Sequence, residues 1–506
     1  MNNIAPRRST AATTNTYLGN ALFLPIAYGH RRTLRLCGLP RQLLSGRVHH
    51  RVDTVVCDWS RLVAGTFLFF GAVCGSNTAR AQESEAAAGS GPAPSVEQWR
   101  LDGQFTNVAQ RHQNFRALYS GTNSMRPDEG IRETTDATLF AGLRLGKATE
   151  LWVNPEIDQG YGLSDTLGAA GFPSGEAYKI GAHRPYIRIQ RAFVRHVYAV
   201  GGQQQKIEPA PNQLGGTATS DNLTLTVGKF SVVDVFDTNT YAHDPRADFL
   251  NWSVIDAGAF DYAADAWGYT FGAAVEWTHD WWTLRGGAFQ MSEVPNAKIA
   301  GLHPRQHMFV TEFEGRYTWR NHPGKAKLLV FANQAEMANY ADAVRLAHNI
   351  GGIPDVSQVR HYQSRVGVVA NLEQELSPDL GMFARVSAND GSKEAYEFTE
   401  INRSFAGGLS LKGKSWGRGD DSLGVAAVVN ALSTDARAYF AAGGIGILIG
   451  DGALNYGPEK ILESYYSLQV DKNLALTINF QHLCNPAYNR DRGPINIGAV
   501  RLHMLF

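Results

Sequence analysis

The chain has 506 residues, 44% hydrophobic and 19% charged, and its 47 basic side chains match its 47 acidic ones, a formal net charge of zero. That balance excludes the basic footprint of a nucleic-acid partner. A mean hydropathy of −0.24 excludes a helical transporter, but not a transmembrane barrel, whose strands alternate apolar and polar residues.

The first segment reads as an address. Residues 1–60 are rich in arginine and have no clear period. Arg61 then precedes an uncharged stretch from Leu62 to Ala79, whose apolar heart is the 13 residues ending at Cys74. Ala79-Arg80-Ala81 supplies small residues at −3 and −1 of a cleavage site. The apolar core is shorter than the ~20 residues of a spanning helix, which favours a signal peptide over an N-terminal anchor. The expected organisation is therefore a leader over 1–81, with an extended or mis-assigned start, a flexible linker over 82–98, and one barrel over 99–506. Three of the four cysteines precede the cleavage site, so no disulfide scaffold is expected in the cleaved chain.

From there the period is two. Ala137, Leu139, Ala141, Leu143 and Leu145 oppose Thr138, Gly142 and Arg144. Val366, Val368, Ala370 and Leu372 oppose Arg365, Asn371 and Glu373, and Met382, Ala384, Val386 and Ala388 oppose Arg385, Ser387 and Asn389. Leu474, Leu476, Ile478 and Phe480 oppose Ala475, Thr477, Asn479 and Gln481, and the last strand ends on Phe506. Only a β-strand separates neighbours this way. Short turn signals such as Ser377-Pro-Asp379 and Asp471-Lys-Asn473 join the strands into hairpins. About 16 strands are predicted, starting near residues 101, 134, 149, 187, 222, 267, 281, 308, 325, 361, 379, 402, 421, 460, 473 and 494. The fold class expected is all-β: a transmembrane antiparallel up-and-down barrel. Trp277, Trp281, Trp282, Trp319, Tyr465 and Tyr466 near strand ends read as interfacial girdles. The terminal Phe506 reads as the signal that barrel-assembly machinery uses.

Enzyme motifs are poor. Gly162-Leu-Ser-Asp-Thr166 misses the last glycine of a nucleophile elbow, and Pro304 argues against a metal-binding helix at His303 and His307. No catalytic residue, metal or cofactor is expected. The informative stretches are loops crowded with acids, amides, an arginine and aromatics. They contain Glu156 and Asp158, then Asp237, Asn239, Asp244, Arg246, Asp248 and Trp252. Hydroxyl-rich ligands need hydrogen-bonding groups and an apolar platform for the sugar's C–H face, and this set supplies both. A loop tied down by its own salt bridges explains the same residues equally well.

The strings "PEIDQGYGLSDTLGAAGFPSGEAYKIG", "GKFSVVDVFDTNTYAHDPRADFLNWS" and "DAGAFDYAADAWGYTFGAAVEW", with the terminal "NPAYNRDRGPINIGAVRLHMLF", resemble the carbohydrate-selective porins known as the OprB family. The resemblance covers roughly residues 99–506. It implies a 16-stranded barrel in the outer membrane of a Gram-negative bacterium, passing mono- or oligosaccharides by diffusion, with loops folded inward to narrow the pore. It leaves a homotrimer open. The eight loop residues above are the expected constriction. Alternation places Arg144, Glu150, Arg365, Glu373, Arg385, Glu463 and Arg501 in the lumen, and mixed signs there suit neutral polar solutes. The rival readings are a general porin, a barrel enzyme, and a non-conducting sugar-binding receptor.

Overall fold

The computed structural model describes residues 96–177, 181–299, 301, 303 and 305–506. The leader and most of the linker, residues 1–95, lie outside the described residues. Sixteen strands follow in chain order. They are β1 (Trp99–His112), β2 (Arg132–Gly146), β3 (Thr149–Gly160), β4 (Ala182–Ile207), β5 (Gly216–Phe230), β6 (Thr270–His279), β7 (Trp282–Gln290) and β8 (His307–Trp319). The second half holds β9 (His322–Met337), β10 (His361–Ser377), β11 (Leu380–Asn389), β12 (Arg403–Gly413), β13 (Arg418–Ala431), β14 (Glu459–Asp471), β15 (Leu474–Cys484) and β16 (Ile495–Leu505).

Each strand pairs antiparallel with its neighbour, and β1 closes on β16 with Gln104 opposite Leu505 and His112 opposite Ile497. The terminal residue completes the seam: the Gly103 N–H donates to Phe506 O at 2.6 Å and the Phe506 N–H to Gly103 O at 2.8 Å. A closed barrel leaves no unpaired edge.

The two faces of the wall differ as the alternation requires. On β9, Leu328 and Val330 are about half exposed, whereas Lys327, Leu329 and Phe331 are buried. Leu139, Val275, Phe309, Val368, Phe405 and Ile478 continue the outward apolar belt. Strand connections alternate in length. Turns such as 280–281, 320–321 and 472–473 cluster at the end that holds both barrel termini, and long loops lie at the other. Among the described residues the loops carry three α-helices, α1 (Trp252–Ile255), α2 (Tyr340–Ile350) and α3 (Thr434–Ala441).

Two expectations need correcting. The starts expected near 187 and 222 fall inside β4 and β5, which begin at Ala182 and Gly216. β5 starts early because the hairpin stays paired at its turn end past the last β3–β4 pair, Thr149 opposite His196, and β4 starts early at the loop end, where Ala182 still pairs with Gly160 of β3. Tyr465, expected in an interfacial girdle, points inward instead. It is buried, with its ring centroid 4.9 Å from that of Phe249. Trp277, Trp281 and Trp319 are exposed on the outside at the turn end.

Candidate pore constriction

The longest loop between strands, 231–269, does not stand above the barrel. It folds into the lumen. Its Phe236, Phe249, Trp252, Phe260 and Tyr262 share one buried cluster with the inward wall residues Phe289, Phe331 and Phe383. A short turn of helix opens the loop, where Ser231 and Asp234 cap each other.

What seats the loop is the charge on the wall, directed at loop backbone. Asp237 is fully buried and takes φ of +54°. Its carboxylate accepts from Arg385 Nε at 3.2 Å, Asn371 Nδ2 at 2.7 Å and the Ala257 N–H at 2.7 Å. Arg385 also donates to Val254 O at 2.8 Å. Glu373 accepts from the Thr240 N–H at 2.7 Å, and Glu463 from the N–H groups of Leu250 and Asn251 at 2.6 and 3.1 Å. Arg501 donates to the carbonyls of Pro245, Ala247 and Asp248 at 2.6–2.9 Å. Arg365 pairs with Asp261, whose carboxylate also accepts from the Tyr396 and Glu397 N–H groups at 2.8 and 2.9 Å. Charge-assisted bonds to backbone are the stronger class, and several act on one segment here.

Of the seven charges that alternation expects in the lumen, Arg365, Glu373, Arg385, Glu463 and Arg501 contact the 231–269 loop. Arg144 and Glu150 pair with each other at 3.4 Å near the turn end. Of the eight expected constriction residues, Asp237 and Asn239 anchor the loop to the wall, and the Asp248 carboxylate braces the loop internally. Asn239 donates to Asn371 Oδ1 at 2.8 Å, and Asp248 accepts from the His243 and Asp244 N–H groups at 3.2 Å. Burial pushes the Asp248 carboxyl up to about 6, helped by the neighbouring Asp244 charge. Glu156 and Asp158 are buried on the wall behind the channel, where both accept from Gln190 Nε2, at 3.1 and 3.5 Å.

The other three border a cavity of about 480 Å³ in the lumen. That volume lies within the ~300–1,000 Å³ typical of small-molecule sites. One side is aromatic. Trp252 stacks between Phe172 and Phe398, with centroids at 5.1 and 4.6 Å, and Tyr262 lies 4.3 Å from Phe398. The other side is ionic. Arg191 grips Asp234 through two bonds of 2.8 and 2.6 Å. Arg246 reaches Asp136 and Glu156 at 3.2 and 3.3 Å through Nη2, and Glu176 at 3.2 Å through Nε. Burial holds the Glu176 carboxyl well above its ordinary range. Arg246 opposes that shift and Asp136 adds to it. His243, in the same wall, faces Asp256 at 3.5 Å.

Sequence reasoning missed Arg191, Asp234, Glu176, Phe172 and Phe398. Phe172 and Glu176 sit in a quoted loop string. Phe398 lies in another loop, 146 residues from Trp252, and no local signal joins the two.

The model of the carbohydrate-selective porin family, OprB, matches residues 122–506. Among curated proteins none matches the chain. The high-pH structure of Pseudomonas putida OprB is 15% identical, covers 81% of this chain and 94% of its own, and superposes with a TM-score of 0.62. The outer membrane channel DcaP of Acinetobacter baumannii is 11% identical over 81% of this chain and 97% of its own, at a TM-score of 0.45.

Proposed function

The chain belongs to the carbohydrate-selective porin family, OprB, an outer-membrane channel for sugars in Gram-negative bacteria, and we propose that its selectivity resides in the cavity against the 231–269 loop. The observation that carries this reading is one cavity with an aromatic ladder, Phe172–Trp252–Phe398, on one side and polar pairs, the ion pair Arg191–Asp234 and Arg246 against the Glu176 carboxyl, on the other. A pyranose has a C–H face and a rim of hydroxyls. The stack offers the first an apolar wall along its ring edges, and the charged groups offer the second donors and acceptors. Each cation is already paired, so a bare ion gains little there, and a neutral solute exchanges hydrogen bonds without leaving a charge uncompensated. Transport is passive: the solute diffuses down its gradient through a preformed path.

The leader and the assembly partner belong to the same proposal. Cleavage after Ala81 predicts that the mature chain begins at Gln82, which intact mass checks directly. The terminal strand, hydrogen-bonded through Phe506, is the segment offered to barrel-assembly machinery.

Two measurements test the transport reading. Proteoliposomes holding the purified chain should swell in mono- and disaccharide solutions. Sugar added to a planar bilayer should block single-channel current in a saturable way. Ion current indifferent to sugar at any concentration defeats the reading, and sugar binding without conductance supports a receptor instead.

A further inference from the structure

The hairpin of β4 and β5 is longer than the wall requires. β3 stops pairing with β4 at Thr149 opposite His196, but β4 and β5 stay paired as far as Ile207 opposite Gly216. A transmembrane strand needs ~9–11 residues, and β4 has 26. The two-stranded extension does not run straight into the periplasm. Its register slips between Ala199 and Gly201 and again between Gly201 and Gln204, and Gly202 takes φ of +79°. Bulges bend a strand, and glycine makes the positive φ possible.

The bend carries the hairpin tip, residues 208–215, back into the barrel. Leu214 is only 1% exposed and shares a buried cluster with Trp152 of the wall. The Glu97 N–H donates to Gly215 O at 3.1 Å, and the Gly215 N–H donates to Glu97 Oε2 at 2.7 Å. Arg195 Nη1 donates to Asn212 O at 2.7 Å, and Asn154 Nδ2 donates to Asn212 Oδ1 at 2.9 Å. Asn154 is a buried, inward residue well inside β3, so a tip that reaches it lies within the lumen. Pro211 and Asn212 border the same cavity as Gln104, Arg246 and His503. Pro209 and Pro211 stiffen the tip by fixing φ, and Asn212 holds φ of +62°, a conformation asparagine tolerates.

We propose that this hairpin tip is a second constriction on the periplasmic side of the channel, in series with the 231–269 loop, with Asn212 as a specificity-determining residue for the departing sugar. The proposal rests on the reading that the lumen is the sugar path. The two barriers bracket a chamber. A solute that clears the outer loop meets the side-chain amide of Asn212, a donor and acceptor of hydroxyl hydrogen bonds, before it reaches the periplasm.

Two variants of the full chain test it. In the first, residues 202–220 are replaced by Asn-Gly, joining Gly201 to Asp221 and leaving the wall strands whole. Two comparable resistances in series predict that removing one raises conductance roughly twofold. The size limit in liposome swelling should also move to longer oligosaccharides. In the second, Asn212→Cys is treated with a bulky, membrane-impermeant thiol reagent during single-channel recording. Conductance should fall in discrete steps and saturating sugar should slow the reaction, whereas Gln203→Cys on the exposed ribbon should label without effect. Unchanged conductance in mass-verified, labelled Asn212→Cys overturns the proposal, and so does a folded truncation with native conductance and size limit. If the truncation does not fold, the labelled variant decides alone. Failure of the unaltered chain to pass any sugar, with its conductance intact, defeats the transport reading instead and is scored separately.

Discussion

Glu176 shares the guanidinium of Arg246 with Asp136 and Glu156, three carboxyl groups around one cation. Burial raises its affinity for a proton well above the ordinary carboxylate value, and the Asp136 charge reinforces this against the pull of Arg246. A carboxyl whose folded pKa is raised is still protonated where a free one is charged. Its contribution to stability is complete below the unfolded value near ~4.5 and is lost as pH rises through the folded value. The same rise places a new negative charge in the channel wall. Cation preference, read from the reversal potential in a salt gradient, should therefore increase with pH, and Glu176→Gln should remove part of the rise, the Asp248 carboxyl, pushed up to about 6, keeping the rest. A native profile already flat between pH 5 and pH 9 contradicts the assignment. Trp252 makes a different claim. Its ring is the middle rung between Phe172 and Phe398, so Trp252→Ala removes the platform while leaving the ionic wall in place. Half-block of the current should need ~10-fold more sugar, about 1.4 kcal/mol, with ion conductance equal or higher. Unchanged half-block would remove Trp252 from the sugar path.

The 231–269 loop is a constriction because it is fastened, and its fasteners are strand residues. Arg385 on β11 spans the carboxylate of Asp237 and the carbonyl of Val254, tying two parts of the loop to one point on the wall. Removing one member of a buried ion pair costs about 3–5 kcal/mol, because the other charge is left stranded. The wall has its own closed ladder, so Arg385→Ala should loosen the loop before it unfolds the barrel. The expected signature is rapid flicker and a broader spread of conductance levels, with heat-modifiable migration of the barrel retained. A quiet channel of native conductance would mean that the loop is held elsewhere. How much of this was legible follows from the same pair. Alternation placed Arg385, Arg365, Glu373, Glu463 and Arg501 inside, because a strand separates its faces whatever the tertiary partner. It could not say that Arg385 meets Asp237, 148 residues away, since that contact exists only once the loop has folded into a closed wall. The loop also blurs the signal it rests on. Where it fills the lumen, the inward face becomes apolar, and Leu328-Leu329-Val330-Phe331 on β9 loses its alternation. The register slips at Gly201 were hidden for the opposite reason. That ribbon lies beyond the lipid, and nothing there demands an apolar face.

At the scale of the whole barrel, the zero net charge and modest hydropathy become statements about direction. Outward positions face hydrocarbon, inward charges pair with one another or seat the loop, and the average over both resembles a soluble protein. This makes the cost of a new charge depend on depth and not on exposure. Val330 is 53% exposed and Val200 is 60% exposed, so accessibility alone ranks them together. Val330 lies midway along β9, paired with Val368 on β10 and Thr311 on β8, inside the apolar belt. Val200 lies on the β4–β5 extension past the last pairing with β3, in water. Arginine at the midplane of an outer-membrane barrel costs about 2–4 kcal/mol, and near or beyond the interface about 0–1 kcal/mol. Val330→Arg should therefore destabilise the barrel refolded in vesicles by about 2–4 kcal/mol in denaturant titration, and Val200→Arg by less than about 1 kcal/mol. Equal effects at the two positions would place the lipid boundary wrongly, and with it the claim that the β4–β5 tip enters the lumen from the periplasm. A difference of the expected size fixes the barrel's height in the membrane from two substitutions that touch neither the channel nor the loop.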